Sequence, residues 1–319
     1  ALKNRIGGTF EVFRRQSKNL LFDVTMPLTS GVLTREDNFG SMRNQGVEIQ
    51  LNGVPINNRN FRWNVDINWT KFSNKILSLP SSYEQRVNGT KMYVTGKSMY
   101  EYYLDDWAMV DPKTGTNLYR PENASAVPTT SQVIINGDTL SSSSTYARRY
   151  FTGSAIPDFF GSVNNTLTYR NWSLQVLMIY QVGGFTYDND YQSLMYRGST
   201  STSTNGRALH KDMLKRWQNP GDVTDVNRLN NTASYLSQSD RWLIDSDYLN
   251  LRTVALTYNF PKKTLARLKL TNAKAYINGE NLFITSKRKG LDPTQTYTGS
   301  ASYTYAPSRV VSFGLNLTL

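Results

Sequence analysis

The chain has 319 residues and no cysteine, and its 36 Lys and Arg outnumber 24 Asp and Glu for a formal net charge of +12. The lack of cysteine excludes disulfides, thiolate metal sites and cysteine nucleophiles. Mean hydropathy is -0.50, and no stretch approaches the roughly 18 uninterrupted apolar residues that a membrane-spanning helix requires. Because no run of five or more basic residues occurs, the positive charge does not predict binding to nucleic acid.

Eight strands are predicted along the chain from alternating hydropathy. They lie near residues 6–19, 46–53, 61–75, 158–170, 172–182, 248–260, 273–285 and 308–319. Short connections at 54–60, 170–172 and 261–272 alternate with long ones at about 20–45, 76–157, 183–247 and 286–307. Short turns on one side and long loops on the other are typical of an outer-membrane β-barrel, in which the long loops lie outside the cell.

The third of these strands has the clearest pattern. Its apolar positions are Phe61, Trp63, Val65, Ile67 and Trp69, and the residues between them are polar. Period two predicts a strand with two different faces. Large aromatics bound the apolar stripe, as in strands that cross a bilayer. A Tyr-rich soluble β protein, such as a carbohydrate-binding protein, remains an alternative.

Two local irregularities are predicted. The apolar phase shifts within 248–260, which indicates a β-bulge near Arg252 and Thr253. In the segment 208–217, Leu209, Met213 and Trp217 recur at helical spacing and predict a short amphipathic helix.

The last strand alternates between apolar and polar residues up to the end of the sequence. In a closed barrel such a strand leaves no unpaired edge. The order of residues in 312–319 resembles the C-terminal assembly signal of outer-membrane barrels, although such chains usually end in Phe or Trp and this one ends in Leu319.

Seven stretches form an ordered set of motifs: 40–48, 61–69 with 74–77, 110–115, 216–225, 245–252 with 256–261, 275–283 with 290–293, and the terminal strand. At this order and spacing they resemble the SusC/RagA-type TonB-linked outer-membrane transporters of Bacteroidota. The chain departs from the family pattern at Asp247, Asn227 and Leu319, where the family favours Gly or Ser, Pro, and an aromatic residue.

The resemblance implies an all-β fold in which residues 1–319 form about the last eight strands of a 22-stranded transmembrane barrel. No signal peptide is visible at residue 1, so we expect either processing that removed more than a signal or a C-terminal piece of a longer polypeptide. The resemblance implies that the plug domain, the TonB-contacting motif and an N-terminal extension lie outside this chain. It further implies TonB-dependent import of an oligosaccharide or oligopeptide across the outer membrane, with a SusD-like lipoprotein as a lid. A passive binding or adhesion barrel is the alternative.

Two sets of side chains are candidates for contact with substrate. Polar residues expected to face the lumen are Glu48, Gln50, Asn52, Arg62, Asn64, Asp66, Asn68, Ser173 and Gln175. They suit hydroxyl or amide ligands, but water or the plug would satisfy them equally. Aromatics expected in the loops are Tyr100, Tyr102, Tyr103, Trp107, Tyr187, Tyr191 and Trp242. They could stack on sugars or anchor a lid, with packing inside the loops as the alternative.

Catalytic motifs are weak in this sequence. The acid pairs Asp105 with Asp106 and Asp188 with Asp190 raise glycosidase chemistry or calcium binding as alternatives. Asp188 and Asp190 lack the glycine and distal glutamate of an EF-hand loop, and adjacent acids in a loop are usually solvated. His210 is the single histidine, and no nucleophile elbow occurs. We therefore predict neither enzyme activity nor a cofactor or metal. Lys and Arg at the outer rim are expected to pair with lipopolysaccharide phosphates.

Overall fold

A computed structural model describes residues 5–38, 40–81, 83–196, 208–229, 237–295, 298–301 and 305–318. Its main feature is a sheet of eight antiparallel strands that pair in chain order. The strands are β1 (Ile6–Lys18), β2 (Ser41–Asn57), β3 (Phe61–Ser78), β4 (Phe159–Tyr169), β5 (Trp172–Val182), β6 (Tyr248–Asn259), β7 (Asn272–Ser286) and β8 (Val310–Thr318). All eight predicted strands are thus confirmed, and β2 is longer than predicted. Leu319 lies outside the described residues.

The pairing register gives the sheet two chemically different sides. Ile67 lies directly opposite Leu51 on β2 and Val163 on β4, and this side is called the apolar face. The next residue, Asn68, lies opposite Gln50 and Ser162, and this side is called the polar face. Cross-strand neighbours share a face because side chains alternate with period two, so the predicted alternation extends across the sheet.

Aromatic side chains bound the apolar face at both ends. Towards the long loops, the ring of Phe159 lies 6.1 Å from that of Trp69 and 6.3 Å from that of Tyr180. Towards the short turns, the rings of Trp172 and Tyr258 lie 4.6 Å apart. Trp172 and Tyr180 are separated by about 26 Å along β5 at ~3.3 Å per residue. At a strand tilt of about 35–45°, that spacing corresponds to a height of about 19–21 Å, somewhat less than the band roughly 25 Å tall that outer-membrane barrels present to lipid.

The predicted bulge in β6 is present. The register shifts between Leu251 and Thr253 on β6, which leaves Arg252 unpaired in the ladder. Arg252 Nη1 donates to Asn281 Oδ1 of β7 at 2.7 Å. This bond fixes the irregularity on both strands, and the shift explains why the apolar phase changes there.

Three long connections, β3–β4, β5–β6 and β7–β8, pack against one another in a body here called the loop subdomain. Its short strands are Arg86–Asn88, Lys91–Tyr93, Glu101–Asp105, Trp107–Val110, Asn117–Tyr119, Gln132–Ile135, Asp138–Ser141, Arg149–Ser154, Phe185–Tyr187 and Leu243–Asp245. Its helical turns are Ala124–Ala126, Ser144–Tyr146, α1 (Asn189–Leu194), Lys211–Lys215, Asp240–Trp242 and Pro293–Gln295. The β1–β2 connection forms a hairpin of Leu21–Thr25 and Thr34–Asn38 around a turn at Leu28–Ser30.

The amphipathic helix predicted over 208–217 is wrong in type and length, because the segment forms only a 3-10 turn, Lys211–Lys215. Met213 packs into the core of the loop subdomain. The turn ends because Arg216 is extended and the Trp217 N–H donates to the Val226 carbonyl at 2.8 Å. A separate helix, α2 (Lys262–Leu268), occupies the β6–β7 connection. None of the helices in the described ranges has the length and hydropathy to span a bilayer.

Candidate functional site

The polar face carries the side chains that the sequence assigned to the lumen. Asn68 Nδ2 donates to Ser162 Oγ at 3.1 Å, and Gln175 Nε2 donates to Asn164 Oδ1 at 3.2 Å. Arg62 Nε donates to Asn64 Oδ1 at 3.0 Å. The register puts the whole predicted set on this face: Glu48, Gln50, Asn52, Arg62, Asn64, Asp66, Asn68, Ser173 and Gln175. The face is therefore a hydrogen-bonding surface of amides, hydroxyls and charges.

The predicted loop aromatics separate into buried and accessible groups. Tyr102, Tyr187 and Trp242 are buried in the core of the loop subdomain, so their rings serve packing and offer no surface for stacking on a ligand. Tyr191 and Trp107 are half-buried: the ring of Tyr191 lies 6.0 Å from that of Trp242, and Arg241 covers Trp107 at 4.8 Å. The ring of Tyr103 lies 5.2 Å from that of Phe151 and is tilted against it by 58°. Tyr100 alone of the predicted aromatics lines the cavity between the polar face and the loop subdomain.

This cavity has a volume of about 530 Å³. The loop subdomain contributes Tyr100, Ala155, Ile156, Pro157, Thr186, Ser246, Pro293 and Thr294. The strands contribute Phe13, Arg15, Asn44, Phe72, Phe160, Gln181 and Tyr248. The volume is within the range of sites that bind small ligands, and the mixture of rings and convergent polar groups is typical of them.

Aromatic residues form a row across this part of the polar face. Phe13 lies opposite Gly46, and Gly46 lies opposite Phe72 on the next strand. A Cβ at Gly46 would sit 2.9 Å from the Phe13 ring and 2.4 Å from the Lys71 carbonyl, so glycine is needed for the rings to close over β2. The ring of Phe72 meets that of Phe160 edge-on at 6.2 Å. Sequence reasoning missed this row, although Phe72 stands in the polar phase of β3 and breaks its alternation.

A larger concavity, about 840 Å³, lies on the opposite side of the sheet. Leu51, Trp63, Val65 and Ile67 line it, all on the apolar face. The residues at its surface are mainly hydrocarbon, and one nearby polar group, Asn165 Oδ1, accepts from Trp63 Nε1 at 3.2 Å. Because it offers few groups that could orient a polar ligand, we assign the site to the smaller cavity.

The acid pairs hold the loop subdomain together. Asp106 binds Arg120 at 2.8 Å and also pairs with Arg148. Asp188 accepts from Arg288 Nε at 2.7 Å and caps α1 through the Tyr191 N–H at 3.0 Å. Within the ranges that the structure describes, no group of three or more His, Asp or Glu could hold a metal ion. Asp106 thus holds parts of the β3–β4 connection together, whereas Asp188 joins the β5–β6 connection to the β7–β8 connection.

The structure describes the surroundings of Asp247 and Asn227, two of the three residues that depart from the family motifs. Asp247 accepts from the Gly183 N–H at 2.5 Å, which ties β6 to the end of β5. Asn227 is fully buried, and neither its Oδ1 nor its Nδ2 has a hydrogen-bond partner among the residues that the structure describes. An unsatisfied buried amide is destabilising, so the residue at position 227 weakens the loop subdomain locally.

Two buried carboxylates from different loops, Asp105 and Asp240, give the loop subdomain a pH dependence. Burial raises the pKa of Asp105 to about 6, the Arg149 guanidinium opposes that shift, and Asp240 adds to it. Burial also raises the pKa of Asp240, which accepts from the Trp107 N–H at 3.0 Å and from the Tyr150 hydroxyl at 2.8 Å. Asp105 thus binds its proton more tightly in the folded state than in the unfolded state. Its contribution to the stability of the fold therefore falls as pH rises from about 4 to about 6.

We expect Asp105→Asn to remove this slope. Backbone N–H groups of Asn219 and Gln218 lower the pKa of Asp222, so its contribution to stability rises with pH. The slope that belongs to Asp105 is therefore read from the difference in amide protection between the variant and the wild type. Hydrogen exchange of amides 101–105 and 149–154, corrected for intrinsic rates, should show the variant gaining protection relative to wild type as pH rises from 4 to 7. A difference that stays constant with pH would contradict the assignment.

The eight-stranded sheet, with its apolar band, aromatic borders, polar face and covering loops, defines a segment of a transmembrane antiparallel β-barrel wall. Known proteins of this class match the chain. It is 25% identical over 307 residues to TonB-dependent receptor P3 of Formosa agariphila, covering 92% of this chain and 29% of that receptor. It is 23% identical over 334 residues to TonB-dependent receptor SusC of Bacteroides thetaiotaomicron, covering 99% of this chain and 30% of SusC.

Solved structures agree with these relatives. The structure of the RagAB peptide transporter superposes with a TM-score of 0.79 at 25% identity, over 98% of this chain and 33% of that one. The RagAB peptide importer in its closed-closed state gives 0.80 at 24% identity, again over 98% and 33%. No family model matches the chain. The resemblance to SusC/RagA-type TonB-dependent transporters is thereby confirmed, and the chain spans about a third of the length of the relatives it matches.

Proposed function

We propose that this chain is the wall and loop portion of an outer-membrane TonB-dependent importer of oligopeptides or oligosaccharides in a Bacteroidota-type Gram-negative cell. The apolar face contacts lipid, the polar face lines the lumen, and the loop subdomain lies outside the cell. The observation that carries the proposal is the cavity between the polar face and the loop subdomain. It lies where a solute entering the lumen from outside would first meet both rings and hydrogen-bonding groups.

The substrate class follows from the chemistry of the cavity. Phe13, Phe72 and Phe160 present apolar ring surface, while Asn44 and Gln181 supply amide donors and acceptors. Ring surface beside amides suits a chain molecule with alternating apolar and polar parts, such as a peptide or an oligosaccharide. RagAB, to which this chain is similar, is a peptide transporter, and this similarity makes peptides the first class to test.

Two further parts complete the proposed importer. A plug domain and a TonB-contacting segment, supplied from outside residues 1–319, would block the wide lumen of a 22-stranded barrel and couple it to energy. A SusD-like surface lipoprotein would close over the loop subdomain. Large apolar side chains exposed on that subdomain support a protein contact there: Ile134, Leu214, Val223 and Tyr305.

An uptake measurement tests the proposal. Cells carrying the full-length receptor and its neighbouring lipoprotein are given labelled oligopeptides and, separately, oligosaccharides of matched size. We expect saturable uptake of one class, abolished by an uncoupler. Uptake that survives the uncoupler would instead favour a passive barrel.

A matched pair of variants ties uptake to the cavity. Phe72→Ala removes a ring from the cavity, and we expect it to raise the KM for uptake by roughly tenfold, as for a buried aromatic contact. Phe313→Ala makes the same change on the apolar face, where the ring is exposed away from the cavity, and should leave uptake near wild type. Equal effects of the two substitutions on uptake would contradict the assignment of this cavity as the substrate site.

A further inference from the structure

A cluster of cations lies on the same side of the sheet as the apolar face, at its long-loop end. Arg43 on β2 lies directly opposite Lys75 on β3, so their Cα atoms are about 5 Å apart. Lys71 lies four residues before Lys75 on the same side of β3, and Arg14 lies on β1 opposite Gln45. Four positive side chains therefore share a patch three strands wide.

None of the four cations has an acidic partner. The ion pairs of the described residues leave out Arg14, Arg43, Lys71 and Lys75. Arg43 Nε is buried without a hydrogen-bond partner. The acids of these strands, Glu11, Glu48 and Asp66, stand on the polar face. Within the described residues, no carboxylate therefore offsets the repulsion within the patch, and a surface of this kind attracts anions.

A concavity of about 450 Å³ lies within the patch. Arg14 and Lys71 flank it, and Gln45 and Ser73 add hydrogen-bonding groups between them. Val12 and Val47 lie in the same cross-strand row as Lys71, one step nearer the membrane band than the row of Arg14, Gln45 and Ser73. The next row towards the membrane band, Phe10, Ile49 and Trp69, is wholly apolar. Polarity therefore falls along the strand direction, as it does along an anionic lipid that stands in a bilayer.

The patch is confined to one part of the sheet. At the same end of β4 and β5 the corresponding positions are Phe159, Tyr180 and Val182, which carry no charge. A uniform rim that attracts any anion would spread cations over all strands. The localised arrangement indicates a discrete site.

We propose that Arg14, Arg43, Lys71 and Lys75 bind the phosphate groups of an anionic glycolipid headgroup in the outer leaflet of the membrane. The Arg forks suit phosphate oxygens in a bidentate mode, and the Lys side chains add point charges. The acyl chains run along Val12, Val47 and Ile49. This inference rests on the proposed orientation, with the long loops outside, and on no step of import.

The test is native mass spectrometry of the full-length receptor in detergent, with diphosphoryl lipid A as the probe. Arg14→Gln, Lys71→Gln and Lys75→Gln, combined in one variant, should lower the affinity for lipid A by roughly tenfold or more. The matched control combines Lys262→Gln, Lys263→Gln and Arg267→Gln on α2, three exposed cations at the short-turn end, and should change the affinity less than twofold.

Three outcomes would overturn the proposal: equal affinity in the two triple variants, equal binding of dephosphorylated lipid A by wild type, or displacement of lipid A by millimolar inorganic phosphate. Assembly is checked by heat-modifiable gel mobility. If the triple variant does not assemble, the single variant Lys71→Gln is measured with the same probe and should bind less lipid A than Lys262→Gln. Uptake is read separately, so failure of the import proposal is distinguishable from failure of this one.

Discussion

Ile67→Arg should destabilise the assembled barrel by about 2–4 kcal/mol, because it places a cation on the apolar face near the middle of the bilayer. Ile67 lies between Leu51 and Val163 in the cross-strand register, so neither neighbour offers the guanidinium a hydrogen-bond partner. The measurement is denaturant unfolding of the full-length receptor refolded into lipid vesicles, read as the shift in free energy of unfolding.

The adjacent residue provides the control. Asn68→Arg introduces the same side chain on the polar face, beside Ser162 and Gln50, where water and polar groups solvate it. Its effect should be well under about 1 kcal/mol, in the range of exposed polar substitutions. If the two arginines destabilise the barrel equally, the assignment of the faces is wrong.

Tyr102→Ala should destabilise the loop subdomain by about 3–5 kcal/mol, as for loss of a large buried aromatic. Tyr102 is 0% exposed and packs with Tyr187, Met195 and Trp242. Its hydroxyl donates to the Phe185 carbonyl at 2.9 Å, so the substitution also leaves buried polar groups unsatisfied. The effect should appear as faster proteolysis and hydrogen exchange in the loops while the strands keep their protection.

Tyr305→Ala is the matched substitution at an exposed site, because Tyr305 is 97% exposed. It should leave loop protection unchanged. Tyr102→Phe separates the two contributions, since it keeps the ring and removes the hydroxyl, and it should show an intermediate loss. Equal proteolysis of the two alanine variants would mean that the loops lack a cooperative core around Tyr102.

Strand positions and faces were predictable because they depend on local pattern. Period-two alternation in β3 and β8 fixes which residues share a side, and the phase shift around Arg252 locates the bulge. The polar set from Glu48 to Gln175 fell on one face for the same reason. The order of the motifs along the chain indicated the resemblance to SusC/RagA-type transporters.

The interior of the loop subdomain was not predictable, because it depends on contacts between distant segments. Tyr102, Tyr187 and Trp242 come from two loops and meet in one core, and their sequence context resembles that of exposed interface aromatics. The segment around Met213 has helical spacing, yet tertiary packing and the pairing of Trp217 with Val226 override it. Local helix propensity predicts structure poorly where contacts with distant residues determine the conformation of a short segment.

The aromatic row in the cavity was missed for a different reason. Phe13 and Phe72 approach each other across a glycine, Gly46, on the strand between them. Sequence assigns each ring to its own strand, but only the cross-strand register brings the two rings and the glycine together. The one indication of the row in the sequence was that Phe72, an aromatic residue, occupies a polar position in the alternation of β3.

Site-directed labelling of whole cells decides how the sheet is oriented in the outer membrane. Single cysteines are placed at Ser125, exposed in the loop subdomain, and at Asn57, exposed at the end of β2 beside the short turn. The chain has no native cysteine, so each label reports one position. With a thiol reagent that cannot cross the outer membrane, we predict labelling at Ser125 and none at Asn57 until the cells are lysed. Labelling at Asn57 but not at Ser125 in intact cells would contradict the orientation, and with it the assignment of cavity and lumen.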